Sequence, residues 1–252
     1  MKRTLLILAL ALPFLLSACG LLQDPQTASG TIEAIPLDLP TDTAVPPTQA
    51  AAALEATETP TAEAAAPTEQ PAAGGLRVYT IDQTQSQVRF QLDEDLRGQR
   101  KTVVGSTDQV AGELAVNLDD LSSAQVGAMQ INARTLLTDN NFRNRAIQNE
   151  ILNTGTYEFI TFTPTAFEGL PVSVSPGTEV TFTISGDLTI RDITQPATFQ
   201  VTAQADSADQ ISGTATATIQ RADFNLNIPS VPNVANVEEE VELYIDFVAV
   251  GQ

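Results

Sequence analysis

The sequence predicts an all-β, antiparallel domain that carries one helix and follows a long disordered segment. Three observations lead there. Apolar and polar residues alternate with period two through most of residues 76–252, as strands with one buried and one wet face require. One stretch, residues 140–152, changes to a helical period. Residues 20–75 show no apolar period of any kind.

The chain opens with the three parts of an export signal. Lys2 and Arg3 supply positive charge, and Leu5 to Leu16 is an apolar run broken chemically only by Pro13. The run is too short to span a bilayer, which takes roughly 20 residues. It ends in Leu16-Ser17-Ala18-Cys19, the bacterial lipobox pattern of a branched apolar residue, two small residues and an acylated cysteine. Residues 1–18 are therefore expected to be a lipoprotein signal peptide. Cys19 is expected to carry palmitate-type acyl chains, giving an exported, membrane-anchored lipoprotein on the cell surface or the periplasmic side. Cys19 is the only cysteine, so no intramolecular disulfide can form.

Residues 19–75 form the expected tether. Gly20 to Gly75 is rich in Ala, Thr, Pro, Glu and Gln, with eight acids and no Lys or Arg. Such a composition cannot bury enough apolar surface to fold alone. A flexible chain of this length spans roughly 40 Å, enough to hold a domain clear of lipid head groups.

The folded domain is expected at residues 76–252. Val88, Phe90 and Leu92 alternate with Arg89 and Gln91, and Leu114, Val116 and Leu118 with Ala115 and Asn117. Val180, Phe182, Ile184, Leu188 and Ile190 share one face, and Phe199 and Val201 share another. Val241, Leu243, Ile245 and Phe247 oppose Glu242, Tyr244 and Asp246. Turns are expected at Pro176-Gly177, at Thr194-Gln195-Pro196 and across Asp206 to Gln210. The helix is expected from Asn140 to Leu152, capped by Thr138-Asp139 and stopped near Gly155. Its apolar face holds Phe142, Ala146, Ile147 and Ile151, while Arg143 points elsewhere. Alternation alone leaves sandwich and barrel both open.

Several stretches, read in order, resemble the YceI-like, polyisoprenoid-binding family. Tyr79-Thr80-Ile81-Asp82 with Ser86 to Phe90 is similar to its opening strand pair. Asn144-Arg145-Ala146-Ile147 falls in its Arg-rich helical segment, and Tyr157 to Thr165 resembles its Tyr-Pro-x-Ile-x-Phe strand. Gly186 to Phe199 resembles its Gly-x-Leu-Thr-Ile strand, turn and Thr-x-Pro, and Arg221 with Asp223-Phe224 its late Arg-x-Asp-Phe. Gln85 stands where the family usually has His, Glu158 where it has Pro, and Asp192 where it has Gly. The resemblance implies a lipocalin-like antiparallel β-barrel enclosing a long apolar chain.

The chemistry left to the chain is narrow. It has no His, so the commonest general acid–base is missing, and Ser–His and Cys–His nucleophile pairs are impossible. Zinc and haem sites lack their usual ligands. No catalytic residue, metal or cofactor is expected. Asp93-Glu94-Asp95 and Glu238-Glu239-Glu240 read as solvated acidic runs, without the spaced ligands of a calcium loop. A net charge of −19 repels nucleic acid and anionic head groups.

Along Ile211 to Ile219 the inward set is Ile211, Gly213, Ala215, Ala217 and Ile219, three of them tiny. An eight-stranded barrel is just wide enough to be filled by side chains or to hold one ligand. Either small residues leave a cavity, or Phe182, Phe199 and Phe247 fill the space opposite. With the family resemblance, a cavity is expected, lined by Phe90, Val116, Phe182, Ile184, Phe199, Ala215, Ala217, Ile245 and Phe247. Phe142, Ile147, Phe224 and Ile228 are candidates for a lid. The resemblance then implies a carrier or binder of an isoprenoid-type lipid, a quinone or polyprenyl chain. The alternative is an envelope interaction module whose barrel is filled and holds no ligand.

Overall fold

The computed structural model describes residues 23–39 and 75–252. The expected signal peptide, Cys19 and the remainder of the expected tether lie outside the described residues. Among the described residues thirteen strands pair, all antiparallel, in one curled sheet. They are β1 (Arg77–Ile81), β2 (Gln87–Leu96), β3 (Gln99–Thr107), β4 (Val110–Ala111), β5 (Glu113–Val116), β6 (Gln125–Val126) and β7 (Met129–Asn132). After the helix come β8 (Phe159–Glu168), β9 (Glu179–Ile190), β10 (Ile193–Ser207), β11 (Gln210–Gln220), β12 (Val234–Ala235) and β13 (Glu240–Gly251).

Pairing runs β7–β8–β9–β10–β11–β13–β2–β3. The ring closes where the chain leaving β3 reaches β7. Ser106 bridges Leu137, and Val110 and Ala111 of β4 pair Ile131 and Gln130. This is the lipocalin-like barrel. β13 pairs β11 along one edge and is long enough to serve two partners on the other, holding β2 along Glu242–Asp246 and β1 at its last residues. β5 and β6 extend the sheet from β1.

One turn was not foreseen by the sequence reading and another corrects it. The β2–β3 hairpin turns on Arg97 (φ 54°) and Gly98 (φ 76°), the left-handed pair that a tight two-residue hairpin prefers. The β9–β10 turn falls at Arg191-Asp192, and Thr194-Gln195-Pro196 lies inside β10 rather than in a turn. Pro196 is tolerated there because β11 pairs β10 only from Gln200 onward, so one side of β10 carries no ladder at that point. Between β1 and β2, Asp82 accepts from Gln85 Nε2 (2.6 Å), Thr84 Oγ1 (2.7 Å) and Thr84 N (2.9 Å). These donors, Gln85 first, hold its carboxyl below the ordinary range. That is the work done by the glutamine standing in the family's histidine position.

The helix is shorter and less regular than its period suggests. α1 spans Asn141–Arg145 and continues as a π-helical segment, Ala146–Ile151. Its cap is Asn140, not Thr138-Asp139: the Asn140 side chain accepts from Phe142 N (2.9 Å) and Arg143 N (3.2 Å). It ends at Asn153, whose φ of 47° takes the left-handed conformation expected of Gly155.

Residues 23–39, part of the expected tether, are described in contact with the barrel. They lie along the barrel as a strap. Asn149 Nδ2 donates to Gln23 O (2.9 Å), and Arg145 pairs Asp24 (2.6 Å). Ser29 donates its N–H (2.7 Å) and its hydroxyl to the Glu158 carboxylate. Gln83 Nε2 donates to Ile32 O (2.7 Å), and Leu37 N to Glu113 Oε2 (2.9 Å). Ile32 is only 4 % exposed. Burial would raise the Glu158 pKa, but Ser29, Asn132 and Arg134 together outweigh it and hold the carboxyl low. A depressed carboxyl stabilises the docked state above its unfolded pKa, and that contribution is lost as pH falls through the folded value. The Ser29 amide resonance is therefore expected to stay in its docked position at neutral pH and titrate only below the ordinary 4.5. Glu158→Ala should release it at every pH. An amide shift unaffected by either change would show that Glu158 does not hold the strap.

Candidate ligand-binding cavities

Two apolar cavities are stacked along the barrel interior. Strand alternation creates both, because even-numbered residues of β2 and β9 and odd-numbered residues of β10, β11 and β13 point inward, while β8 turns Ile160 and Phe162 inward before its bulge at Pro164–Ala166 and Phe167 inward after it. The smaller, about 140 Å³, lies toward β5 and β6. Among the residues proposed from sequence, Val116, Phe182, Ile184, Phe199, Ala215, Ile245 and Phe247 line it, and among the described residues Gln204 is its sole polar one. The larger, about 330 Å³, lies under the helix and the segment after β11. Phe90 lines this one, not the first. Ala217 borders neither; it is buried at the waist between them, across from Leu243. The waist also holds Phe162 against Phe199, edge to face with ring centroids 4.8 Å apart.

The small inward residues divide in role. A Cβ at Gly213 would stand 2.5 Å from Thr202 O and 2.8 Å from the ring of Phe247, its cross-strand partner. At that position a large residue does fill the space. Phe90 similarly lies over Gly105, its partner across β2 and β3, where no side chain could coexist with the ring. Both rings lie against the barrel wall and leave the lumen open. Ala215, one step along β11, borders empty space.

Over the larger cavity, Phe142, Ile147 and Ile228 border the opening, with Pro229, Val231 and Pro232 beside them. Phe142 is 68 % exposed. Phe224 is not part of this cover. It is fully buried in a short 3-10 turn, Arg221–Phe224, as a peg in the barrel core. Arg221 fastens the cover from beneath. Its guanidinium donates to Glu238 O (2.7 Å), Leu226 O (2.9 Å) and Val237 O (3.2 Å), and pairs Glu239 (2.8 Å).

The polar lining of the larger cavity is Glu94, Asn140, Arg143 and Arg221. Glu94 is not part of a solvated run. It continues the inward series Phe90, Leu92 and is only 5 % exposed. Arg143 faces it from α1 rather than pointing away, with Nη2 2.6 Å from Glu94 Oε1 and Nη1 2.6 Å from Asp139 Oδ1. Lys101 also pairs Asp139 at 2.6 Å. The Lys101 ammonium, more than Arg143, holds the Asp139 carboxyl below its ordinary range against the opposing effect of burial. The Glu94–Arg143 pair was readable only by carrying the strand alternation past the last apolar residue and into the acids. Among the described residues no group of His, Cys, Asp and Glu is arranged to hold a metal.

The arrangement is an apolar tube with a charged pair near one mouth, suited to hold hydrocarbon and to orient a polar end. A polyisoprenoid binding domain from Saccharophagus degradans shares the fold, with a TM-score of 0.55 at 17% identity over 71% of this chain and 100% of that one. BcnA of Burkholderia cenocepacia is similar, with a TM-score of 0.53 at 18% identity over 68% of this chain and 99% of that one. No curated protein sequence matches the chain. The YceI-like domain matches residues 79–249, from the buried Tyr79 of β1 to the buried Ala249 of β13, and so takes in the whole barrel: the chain belongs to the YceI-like family.

Proposed function

We propose that the barrel binds an apolar chain of the isoprenoid class, a quinone or polyprenyl lipid, and that Cys19 holds it on a membrane through attached acyl chains. One observation carries the first part: two cavities lined almost wholly by hydrocarbon are stacked in one lumen. A soluble domain gains nothing from keeping such space empty, since lining atoms lose their contacts. Burying a hydrocarbon chain there recovers roughly 25 cal/mol per Å² before entropy losses. The polyisoprenoid-binding description of the Saccharophagus degradans domain supports the same ligand class. A chain longer than the larger cavity crosses the waist by parting Phe162 and Phe199.

The test is extraction of purified protein into organic solvent and mass spectrometry of the extract. The parent should yield an isoprenoid lipid. Ala215→Phe should yield none while shifting stability by less than about 1 kcal/mol, because the ring enters empty space. A parent with no lipid, together with a large fall in the denaturation midpoint of Ala215→Phe, would leave the filled interaction module as the better reading. Anchoring is tested separately. Cys19→Ser should move the protein from the detergent phase to the aqueous phase with the barrel intact, and a serine form that still enters detergent places the anchor elsewhere.

A further inference from the structure

We infer that the strap fixes the orientation of the barrel on its membrane, holding the helix-covered mouth of the larger cavity against the bilayer. The inference rests on the N-terminal membrane anchoring proposed above, and it goes beyond it by naming the surface that meets lipid. Gln23 and Asp24 are docked on the helical segment through Asn149 and Arg145. That segment forms the wall of the larger cavity through Phe142, Ala146, Ile147 and Ile151. Cys19 is four residues before Gln23, and four extended residues reach at most about 14 Å. An anchor at Cys19 therefore cannot lie far from this mouth.

From Gln23 the strap runs away from the mouth. It passes Glu158 at Ser29 and Gln83 at Ile32, and reaches Glu113 and Gly127 at Leu37, beside the smaller cavity. A long free tether would allow any face to approach the bilayer, but the strap leaves one end within reach. That end carries Phe142, exposed on α1, and the exposed Pro232 with the half-buried Ile228 and Val231. Apolar side chains on such a rim enter the interface to about 5–10 Å. The opposite end is not less apolar, since Val172 there is 79 % exposed. Chain connectivity, not hydrophobicity, makes the choice. With this mouth on the bilayer, an apolar ligand passes between membrane and lumen without crossing water.

The chain contains no tryptophan, so single tryptophans report position cleanly. The experiment places the full chain, as its bacterial host delivers it, in phosphatidylcholine vesicles carrying brominated acyl chains. Phe142→Trp is compared with Val172→Trp, both at exposed sites where the fold tolerates the change. Quenching of the tryptophan at position 142 should exceed that at position 172 by about twofold or more, as insertion of one rim requires. Adding Asp24→Lys and Ile32→Asp, which undock the strap without touching the barrel, should erase the difference. Equal quenching, stronger quenching at position 172, or a pattern indifferent to strap release overturns the inference. So does a position-142 tryptophan shielded by a copurifying protein. Either the acylated Cys19 of the processed chain or the uncleaved apolar run Leu5 to Leu16 precedes Gln23, so quenching reads the strap in either form. Intact mass reports acylation of Cys19 independently, and thus separates failure of the anchor chemistry from failure of the orientation.

Discussion

Replacing Arg221 with methionine should lower the stability of the barrel by about 3 kcal/mol, because hydrogen bonds to charged donors contribute roughly 1.5–3 kcal/mol each and are only partly replaced by water. The Arg221 side chain is 9 % exposed and supplies the carbonyls of Leu226, Val237 and Glu238. Those carbonyls belong to a segment that β-sheet pairing holds only at β12, where Val234 and Ala235 meet Leu96 and Asp95. Methionine keeps the apolar stem and removes every donor. Lysine should recover little, since an ammonium cannot reproduce the planar fork that reaches three carbonyls. Urea denaturation measures the loss. Hydrogen exchange should place it first at Leu226 N, which donates to Arg221 O in the same turn. A change below about 1 kcal/mol would mean that the prolines and apolar packing hold the cover without Arg221.

The second large effect is expected at Arg143. Arg143→Met strands the Glu94 carboxylate at the cavity wall, and breaking one side of a buried pair costs about 3–5 kcal/mol. The double variant Glu94→Leu with Arg143→Met should return close to the parent, since an apolar replacement of a whole buried pair is often neutral or stabilising. A double-mutant cycle in urea separates these outcomes. If both single changes cost less than about 1 kcal/mol, the pair is hydrated and contributes as a surface pair does. The double variant also tests the site. It keeps the tube and removes the charges that would orient a polar head, so it should still yield lipid on extraction but with altered discrimination among polar ends.

The two predictions differ in how far the sequence foresaw them. Arg221 sits in the late Arg-x-Asp-Phe stretch that helped mark the family, although nothing in that stretch announces that the guanidinium reaches carbonyls up to 17 residues away. Glu94 was legible in principle. The series Phe90, Leu92, Glu94 has period two, and an acid on an inward register must find a cation. What hid it was its company: flanked by Asp93 and Asp95, it reads as one of three solvated acids. Arg143 was misplaced for a similar reason, because a charged residue beside an apolar helical face is ordinarily its wet border. Ala217 and Phe90 both face the interior, one at the waist and the other in the larger cavity, because alternation specifies a face and not a depth.

The sequence by itself determined which apolar residues of β2, β5, β9, β10, β11 and β13 turn inward, that one helix interrupts the strands, and that the interior is apolar. These are local properties. Side chains alternate across a strand whatever lies beyond it, and a helical face repeats within a few residues. The tertiary structure decided the closing of the ring through Val110 and Ile131, the division of the lumen at Phe162 and Phe199, and the docking of residues 23–39 through Ser29 and Glu158, 129 positions apart. Such contacts join segments whose own patterns are silent about each other. The strap is the clearest case: residues 23–39 mix Gln, Asp, Pro and Thr with Ile32, Ile35, Leu37 and Leu39, and what orders them is a set of hydrogen bonds and one buried isoleucine on a surface that exists only once the barrel has formed.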